Sequence, residues 1–134
     1  MAAGETDDPK AVIESFEAAV GITKGSPVYL SADEKVSPST GSDDAIGIAI
    51  KTVLAAEMCP VLRRGRVKVV ADGAITRGKA VCSAASGKVT ALADQAVNEG
   101  GAATYTVYYN RKLGTALEAT TTDGDLLFIE VGKV

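Results

Sequence analysis

The chain has 134 residues, which is enough for one domain or for two fused half-domains. Apolar residues make up 46% of it, but aromatic residues only 4%, so the sequence predicts a core of Val, Ile, Leu and Ala. A net charge of −3 and a pI near 4.9 argue against sequence-independent nucleic-acid binding, which depends on phosphate neutralisation by Lys and Arg.

Neither a membrane span nor a secretion signal is indicated by the sequence. No apolar run approaches the roughly 18 residues of a transmembrane helix. The N-terminus has neither the basic region nor the apolar region of a signal peptide. We therefore expect no membrane contact and synthesis in the cytoplasm.

Residues 1–10 are mostly small or acidic and contain Pro9, which predicts a flexible N-terminal arm. Two interpretations stay open for this arm: terminal disorder without a role, or a segment that becomes ordered on a partner. Residues 10–20 suit a helix by the spacing of Val12, Phe16 and Val20, and suit a strand by their alternation. We favour the strand, because the segment contains β-branched residues and leads directly into the next predicted hairpin.

The stretch Ile22–Val36 occurs a second time as Ile75–Val89, with seven identities in fifteen aligned positions. Each copy reads Ile-Thr-basic-Gly, a short apolar run, a small polar turn and Lys-Val. A glycine before an apolar run, followed by turn formers, is typical of a β-hairpin. The repeat therefore predicts one hairpin used twice.

A glycine-containing strand follows each hairpin, at 45–50 and 113–117, and then an apolar strand, at 58–62 and 126–131. Gly47 in the first of these indicates a bulge or a close backbone approach, and Pro60 indicates an edge strand or a bulge. Short strands with frequent turns predict an all-β sandwich or barrel. We interpret residues 11–134 as a single internally duplicated β-domain with halves at about 20–70 and 73–131.

The second half contains two additions and follows the one basic cluster of the chain. The additions are a glycine-rich insertion at 93–103 and a strand-like run at 104–109 with three tyrosines. The tyrosines predict core or interface filling, or a stacking platform for a sugar or a single nucleic-acid strand. The basic cluster at 63–68 predicts a solvated strand face or a contact with an acidic partner surface.

Residue types that carry chemistry are scarce. The chain has no histidine, which removes the commonest general base and the commonest zinc ligand. Cys59 and Cys82 lie in apolar runs and are expected to be buried thiols, although a disulfide stays open. Asp123–Asp125 is better explained as a hairpin turn than as a calcium loop. We therefore predict no catalytic residue, no cofactor, no metal site and no enzymatic activity.

Several of these motifs resemble those of the capsid decoration (head cement) proteins of tailed bacterial and archaeal viruses, over roughly residues 11–131. The stretches that carry the resemblance are Val20–Leu30, Lys35–Val36, Ile46–Ala49, Val61–Val67, Ala74–Gly78 and Lys88–Val89.

The resemblance implies a small β-barrel or β-tulip-like domain that binds the outer surface of the assembled icosahedral head and stabilises it. It further implies homotrimers at local threefold positions, the major capsid protein as partner, and residues 1–12 as an arm on the capsid lattice. The protein would be made in the host cytoplasm and would end in the virion. The alternative is a small β-clip or barrel module that binds a carbohydrate or a host surface.

Overall fold

A computed structural model describes residues 2–41, 43–92 and 112–132. The insertion predicted at 93–103 and the tyrosine-rich strand predicted at 104–109 lie outside the described residues. Their predicted roles are therefore not addressed by the architecture that follows.

The described residues form nine strands and a single 3-10 turn at Ala85–Gly87. The strands are β1 (Val12–Ala18), β2 (Pro27–Ala32), β3 (Lys35–Pro38), β4 (Gly47–Ala49), β5 (Met58–Val70), β6 (Ala80–Ser83), β7 (Val89–Ala91), β8 (Gly114–Ala116) and β9 (Leu126–Gly132). The all-β prediction is confirmed, and residues 12–18 form a strand rather than the alternative helix.

The longest strand, β5, pairs with partners from both parts of the chain. Residues 58–64 of β5 pair antiparallel with β1, and residues 64–70 pair antiparallel with β9. The two stretches share Arg64, and the β1 pairing has a register irregularity near it, between Val12 and Ile13. One strand of 13 residues thus belongs to two sets of strands at once.

Each set of strands forms a ring or part of one. In the first set, β1 pairs with β3, β3 with β2, β2 with β4, β4 with β5, and β5 again with β1. In the second set, pairing runs from β5 through β9, β8 and β6 to β7. A parallel bridge from Val89 to Ala71 returns it to the end of β5. The result is a partly ringed nine-stranded sheet; its finer description as a barrel or β-tulip stays a prediction.

The sequence repeat is matched by a repeat in strand register. Val28 pairs with Gly47 between β2 and β4, and Val81 pairs with Gly114 between β6 and β8. The isolated bridge between Ile22 and Val53 is matched in the same way by a bridge from Ile75 to Thr120. The related hairpins therefore occupy related places in the sheet.

The repeat also includes β1, which sequence comparison had left out. Phe16 of β1 pairs with Cys59, and the corresponding pair in the second set is Val69 with Leu127. By this register, β1 corresponds to residues 65–71, which include the second half of β5. The division into halves at about 20–70 and 73–131 stays a prediction. The repeated strand pairing itself begins with β1, before residue 20.

Eight buried core positions of the first half have a buried counterpart in the second, and at five of them the residue is identical. The pairs are Ala18/Ala71, Ile22/Ile75, Val28/Val81, Val36/Val89, Ala49/Ala116, Val53/Thr120, Cys59/Leu127 and Val61/Ile129. The polar exception, Thr120, is satisfied because its hydroxyl donates to the carbonyl of Gly73 at 3.0 Å. At these eight positions the two halves therefore bury corresponding, mostly aliphatic side chains.

Two equivalent glycines allow the strands of each half to approach closely. A Cβ at Gly47 would overlap the carbonyl oxygen of Leu62, and a Cβ at Gly114 would overlap that of Glu130. Any side chain would force β4 away from β5, or β8 away from β9. The close approach that was predicted from Gly47 is confirmed.

Pro60 lies just beyond the last pair of the β4–β5 ladder, Ala49 with Val61, so on that side it stands at a local edge of β5. It pairs with Ser15 of β1 on one side, and on the other its carbonyl accepts a hydrogen bond from Ile50 N–H at 3.1 Å. Ile50 follows the end of β4. Proline has no N–H to donate, but at this position the β4–β5 ladder is already ending. The loss is therefore confined to one hydrogen bond.

Truncation at equivalent core positions should have equivalent effects. We expect Ile22→Ala and Ile75→Ala each to lower the free energy of unfolding by about 2–5 kcal/mol, because each leaves a cavity in a closely packed core. Chemical denaturation should show a single transition in both variants, since the two halves share β5. Leu54→Ala, at a side chain that is 71% exposed, is the control and should change stability by less than about 0.5 kcal/mol. Two separate transitions would contradict the shared-strand account.

The repeat also indicates a stabilising substitution. Ala56 has φ 70°, and Gly124 has φ 92° at the equivalent turn, where Ala56 N–H bonds Ala18 and Gly124 N–H bonds Ala71. Ala56→Gly should therefore raise the unfolding free energy by roughly 0.5–1 kcal/mol, because alanine is strained in the left-handed region.

The neighbouring substitution Ala55→Gly is the matched control, because it lies in the same exposed turn without a positive φ. It should lower the unfolding free energy through the added chain entropy of glycine. If the denaturation midpoints of both variants move in the same direction, the left-handed backbone at residue 56 is not the cause of the change in stability.

Candidate functional site

Residues 4–8, the N-terminal segment, lie along the second half of β5. The N–H of Gly4 donates to the carbonyl of Lys68 at 2.7 Å, and the N–H of Lys68 donates to the carbonyl of Glu5 at 3.0 Å. Both main-chain groups of Lys68 are thus satisfied by this segment, and none is left for β9. The N-terminal segment acts as an added strand on this edge of β5.

Side chains of the N-terminal segment hold it at Arg66. The hydroxyl of Thr6 donates to the carbonyl of Arg66, and the N–H of Arg66 donates to the carboxylate of Asp8 at 3.3 Å. The guanidinium of Arg66 lies 3.7 Å from the carboxylate of Asp7. The segment predicted as a flexible arm therefore has a defined place in this structure, and its flexibility stays a prediction.

A glycine pair lets the same segment contact the first hairpin. Gly4 has φ 81° and Gly25 has φ 93°, and a Cβ built on Gly4 would lie 2.7 Å from the nitrogen of Gly25. Lys24 of the same turn forms an ion pair with Glu5 at 3.6 Å. The N-terminal segment therefore connects the first hairpin to the second half of β5.

The basic cluster on β5 is mostly neutralised within the chain. Arg63 pairs with Glu14 at 3.4 Å, as Arg66 does with Asp7, and Lys68 pairs with Glu118 at 3.2 Å. Among the cluster's cations, Arg64 is exposed and has no ion pair within the described residues. The pairing favours the solvated strand face over a docking site for an acidic partner, the two interpretations that the sequence left open.

Phe128 lies beneath two of these cations. Its ring centroid is 4.1 Å from the guanidinium carbon of Arg66 and 4.4 Å from the ammonium of Lys68. The carboxylate of Glu118 accepts a hydrogen bond from the N–H of Phe128 at 2.8 Å. That bond, followed by the one from Lys68, lowers the pKa of Glu118 below its ordinary value. The cations are thus held by ring and carboxylate contacts on β9 and its preceding turn.

An open groove of about 500 Å³ lies in the first set of strands, between β1 and the turn that joins β2 to β3. We call it the acidic groove; the residues that line it are Glu14, Ser15, Phe16, Glu17, Asp33, Glu34, Lys35 and Met58. Glu17 pairs with Lys35 at 3.2 Å. Four carboxylates against one lysine give the groove a negative charge.

The two cysteines are buried thiols. Neither is part of a disulfide, so the disulfide that the sequence left open does not form here. Burial raises the pKa of the Cys59 thiol, which disfavours the nucleophilic thiolate.

Within residues 2–41, 43–92 and 112–132, no group of three potential metal-ligating His, Cys, Asp or Glu residues occurs. Over the same ranges, no helix has the length and apolar character needed to cross a membrane.

Exposed apolar side chains are a feature of the surface that sequence reasoning missed. The large ones are Val12, Ile13, Val20, Leu30, Leu54, Met58, Leu117 and Leu126. Val12, Ile13 and Met58 lie on β1 and on the end of β5 paired with it. Alternation alone could not identify them, because both faces of β1 carry apolar and polar residues. The tyrosines predicted as a platform lie outside the described residues.

Comparison with solved structures identifies a similar fold. The crystal structure of the head fiber gp8.5 N base in bacteriophage phi29 is similar to this chain, with a TM-score of 0.60 and 15% sequence identity. The match covers 92% of this chain and 95% of that one. No curated protein matches the sequence.

A protein-family model described as XM1 gp53 minor capsid protein matches residues 3–126, from the N-terminal segment to the first residue of β9. This span is far more than half of the 134 residues. The chain therefore belongs to the XM1 gp53 minor capsid protein family and is a phage capsid-associated protein.

Proposed function

We propose that this protein is a capsid decoration protein that binds the outer surface of the assembled head as a homotrimer, with the major capsid protein as its partner. The observation that carries the proposal is the match to a minor capsid protein family over residues 3–126. The fold supports it, because a partly ringed sheet with two closely packed cores is a rigid body that presents surfaces. The role requires no enzymatic activity.

Stabilisation of the head would follow from mass action. A protein that binds the assembled shell and not its separate subunits stabilises the shell by the free energy of that binding. The contribution is repeated at every equivalent site, so a modest affinity at one site becomes a large total for the whole shell. Trimers suit this role, because a trimer on a local threefold position makes the same contact with three neighbouring subunits.

The N-terminal segment is our candidate for the lattice contact. Two of its contacts with the body are exposed ion pairs: Glu5 with Lys24 and Asp7 with Arg66 have side chains that are 39–47% exposed. Exposed pairs of this kind contribute about 0–1 kcal/mol each. Attachment to a capsid would require residues 2–8 to exchange these ion pairs and the main-chain hydrogen bonds at Lys68 for bonds with a capsid subunit.

Co-sedimentation tests the decoration role directly. The test uses expanded heads of the virus that encodes this chain, prepared without this protein. The heads should bind the purified protein, and binding should saturate at a multiple of three copies per threefold site. Saturated heads should also withstand heating or osmotic shock better than bare heads. Absence of saturable binding to heads, together with retention on a glycan surface, would favour the carbohydrate-binding alternative and overturn the proposal.

Deletion of residues 2–8 tests the N-terminal segment separately. We expect the truncated protein to keep its strand content by circular dichroism and to bind heads at least roughly tenfold more weakly, a loss of about 1.4 kcal/mol per site. Lys24→Gln is the matched control, because it removes the ion pair with Glu5 and leaves the segment present. Unchanged head binding by the truncated protein would rule out the lattice contact while leaving the decoration role intact.

A further inference from the structure

Within the residues that the structure describes, the outer edge of β1 has no strand beside it over most of its length. β5 occupies the inner edge of β1 from Val12 to Glu17, whereas β3 pairs with the outer edge at Glu17 and Ala18 alone. By the alternation of an antiparallel strand, the main-chain groups of Ile13 and Ser15 face this outer edge. Over the described ranges of the chain, no strand pairs with them.

The equivalent edge in the second half is occupied. Register relates Ser15 to Lys68 and Ile13 to Arg66, and at Lys68 the N-terminal segment makes two main-chain hydrogen bonds, of 2.7 and 3.0 Å. In the described part of the chain, the same edge of the same structural unit therefore accepts an extended segment in one half and has no strand beside it in the other. This internal precedent shows that the geometry is suited to strand addition.

The charge of the open edge indicates what kind of segment fits it. The acidic groove beside β1 carries Glu14, Glu17, Asp33 and Glu34 against Lys35. The corresponding turn of the second half carries Ser86 and Gly87 in place of Asp33 and Glu34. A second copy of this chain is a poor occupant, because its N-terminal segment is itself acidic and its β1 edge bears the same carboxylates.

The floor of the groove suits a strand with alternating side chains. Phe16 is half-buried in it, and Met58 is 58% exposed. Because Phe16 pairs with Cys59 and Glu17 with Met58, Phe16 and Met58 lie on opposite faces of the β1–β5 ladder. Apolar side chains of an added strand would point to the face of Phe16, and the alternating basic side chains would point to the face of Glu17. Glu14 and Glu17 already form ion pairs, but they are not needed to bind the basic side chains of an added strand. Asp33 and Glu34 make no ion pair within the described residues and can do so.

We propose that the open edge of β1 binds an extended, basic segment of a partner protein by strand addition. The main-chain groups of Ile13 and Ser15 form the ladder, and Lys or Arg side chains of the partner pair with Asp33 and Glu34. The proposal rests on this edge and its charge, and holds whether or not the protein decorates capsids.

Peptide titration against the full chain tests it. The probe is the capped peptide Thr-Lys-Val-Lys-Val-Lys-Thr with a fluorescent label, and the control peptide replaces each Lys with Glu. We expect the basic peptide to bind at least tenfold more tightly than the acidic one, more weakly at high salt, and to protect the amides of Ile13 and Ser15 from hydrogen exchange. No binding of the basic peptide, or equal binding of both, would overturn the proposal.

Two variants locate the site. Ser15→Pro removes the outward N–H, and should weaken peptide binding at least tenfold, whereas Ser15→Thr should keep it. Asp33→Ser with Glu34→Gly introduces the residues that the second half has at the same turn, and should weaken binding several-fold and reduce its salt dependence. Because this second variant leaves β1 unchanged, it keeps the test valid if Ser15→Pro does not fold.

Two further outcomes would overturn the assignment. The first is that the variant with Asp33→Ser and Glu34→Gly, and the variant Ser15→Pro, both bind the peptide as tightly as the wild type. The second is a wild-type oligomer that Ser15→Pro converts to a monomer in sedimentation without any peptide, because the edge would then be occupied by a second copy of the chain.

Discussion

Hydrogen bonding along both edges of β5 is the constraint on which the rest of the structure depends. One edge pairs with β1 and then with the N-terminal segment, and the other pairs with β4 and then with β9. Buried main-chain groups must be paired, so removing either half would leave β5 with unpaired N–H and carbonyl groups. We therefore expect the two halves to fold as one unit, in which the buried side chains form two clusters.

Strand β5 can pair with both halves because the repeated residues are the same at the positions where the strands pack most closely. Gly47 and Gly114 allow equally close approach of the strands, and five of eight paired core positions keep the same residue. Surface residues differ between the two copies of the repeat: Asp33 and Glu34 of one turn correspond to Ser86 and Gly87 in the other. A duplicated core with diverged surfaces retains stability in both halves while it allows their contacts to differ.

The hairpins and the all-β class could be predicted from the sequence because their glycines, turns and apolar runs are local signals. The relation between β1 and residues 65–71 could not, because the two segments share a single aligned residue, the final Ala18 and Ala71. Their equivalence lies in strand register. The neutralisation of Arg66 and Lys68 was equally hidden, since it depends on Asp7 and Glu118, which are distant in the chain.

The N-terminal segment makes the two halves unequal, and this inequality is what gives the molecule distinct surfaces. An exposed strand edge is a template for further pairing, which proteins usually cover or charge. Here the chain covers one such edge, at Lys68, with its own terminus and places carboxylates beside the other, at Ser15. Carboxylates repel an identical copy and attract a basic strand, so the second edge is protected from self-association while it stays open to a partner of opposite charge.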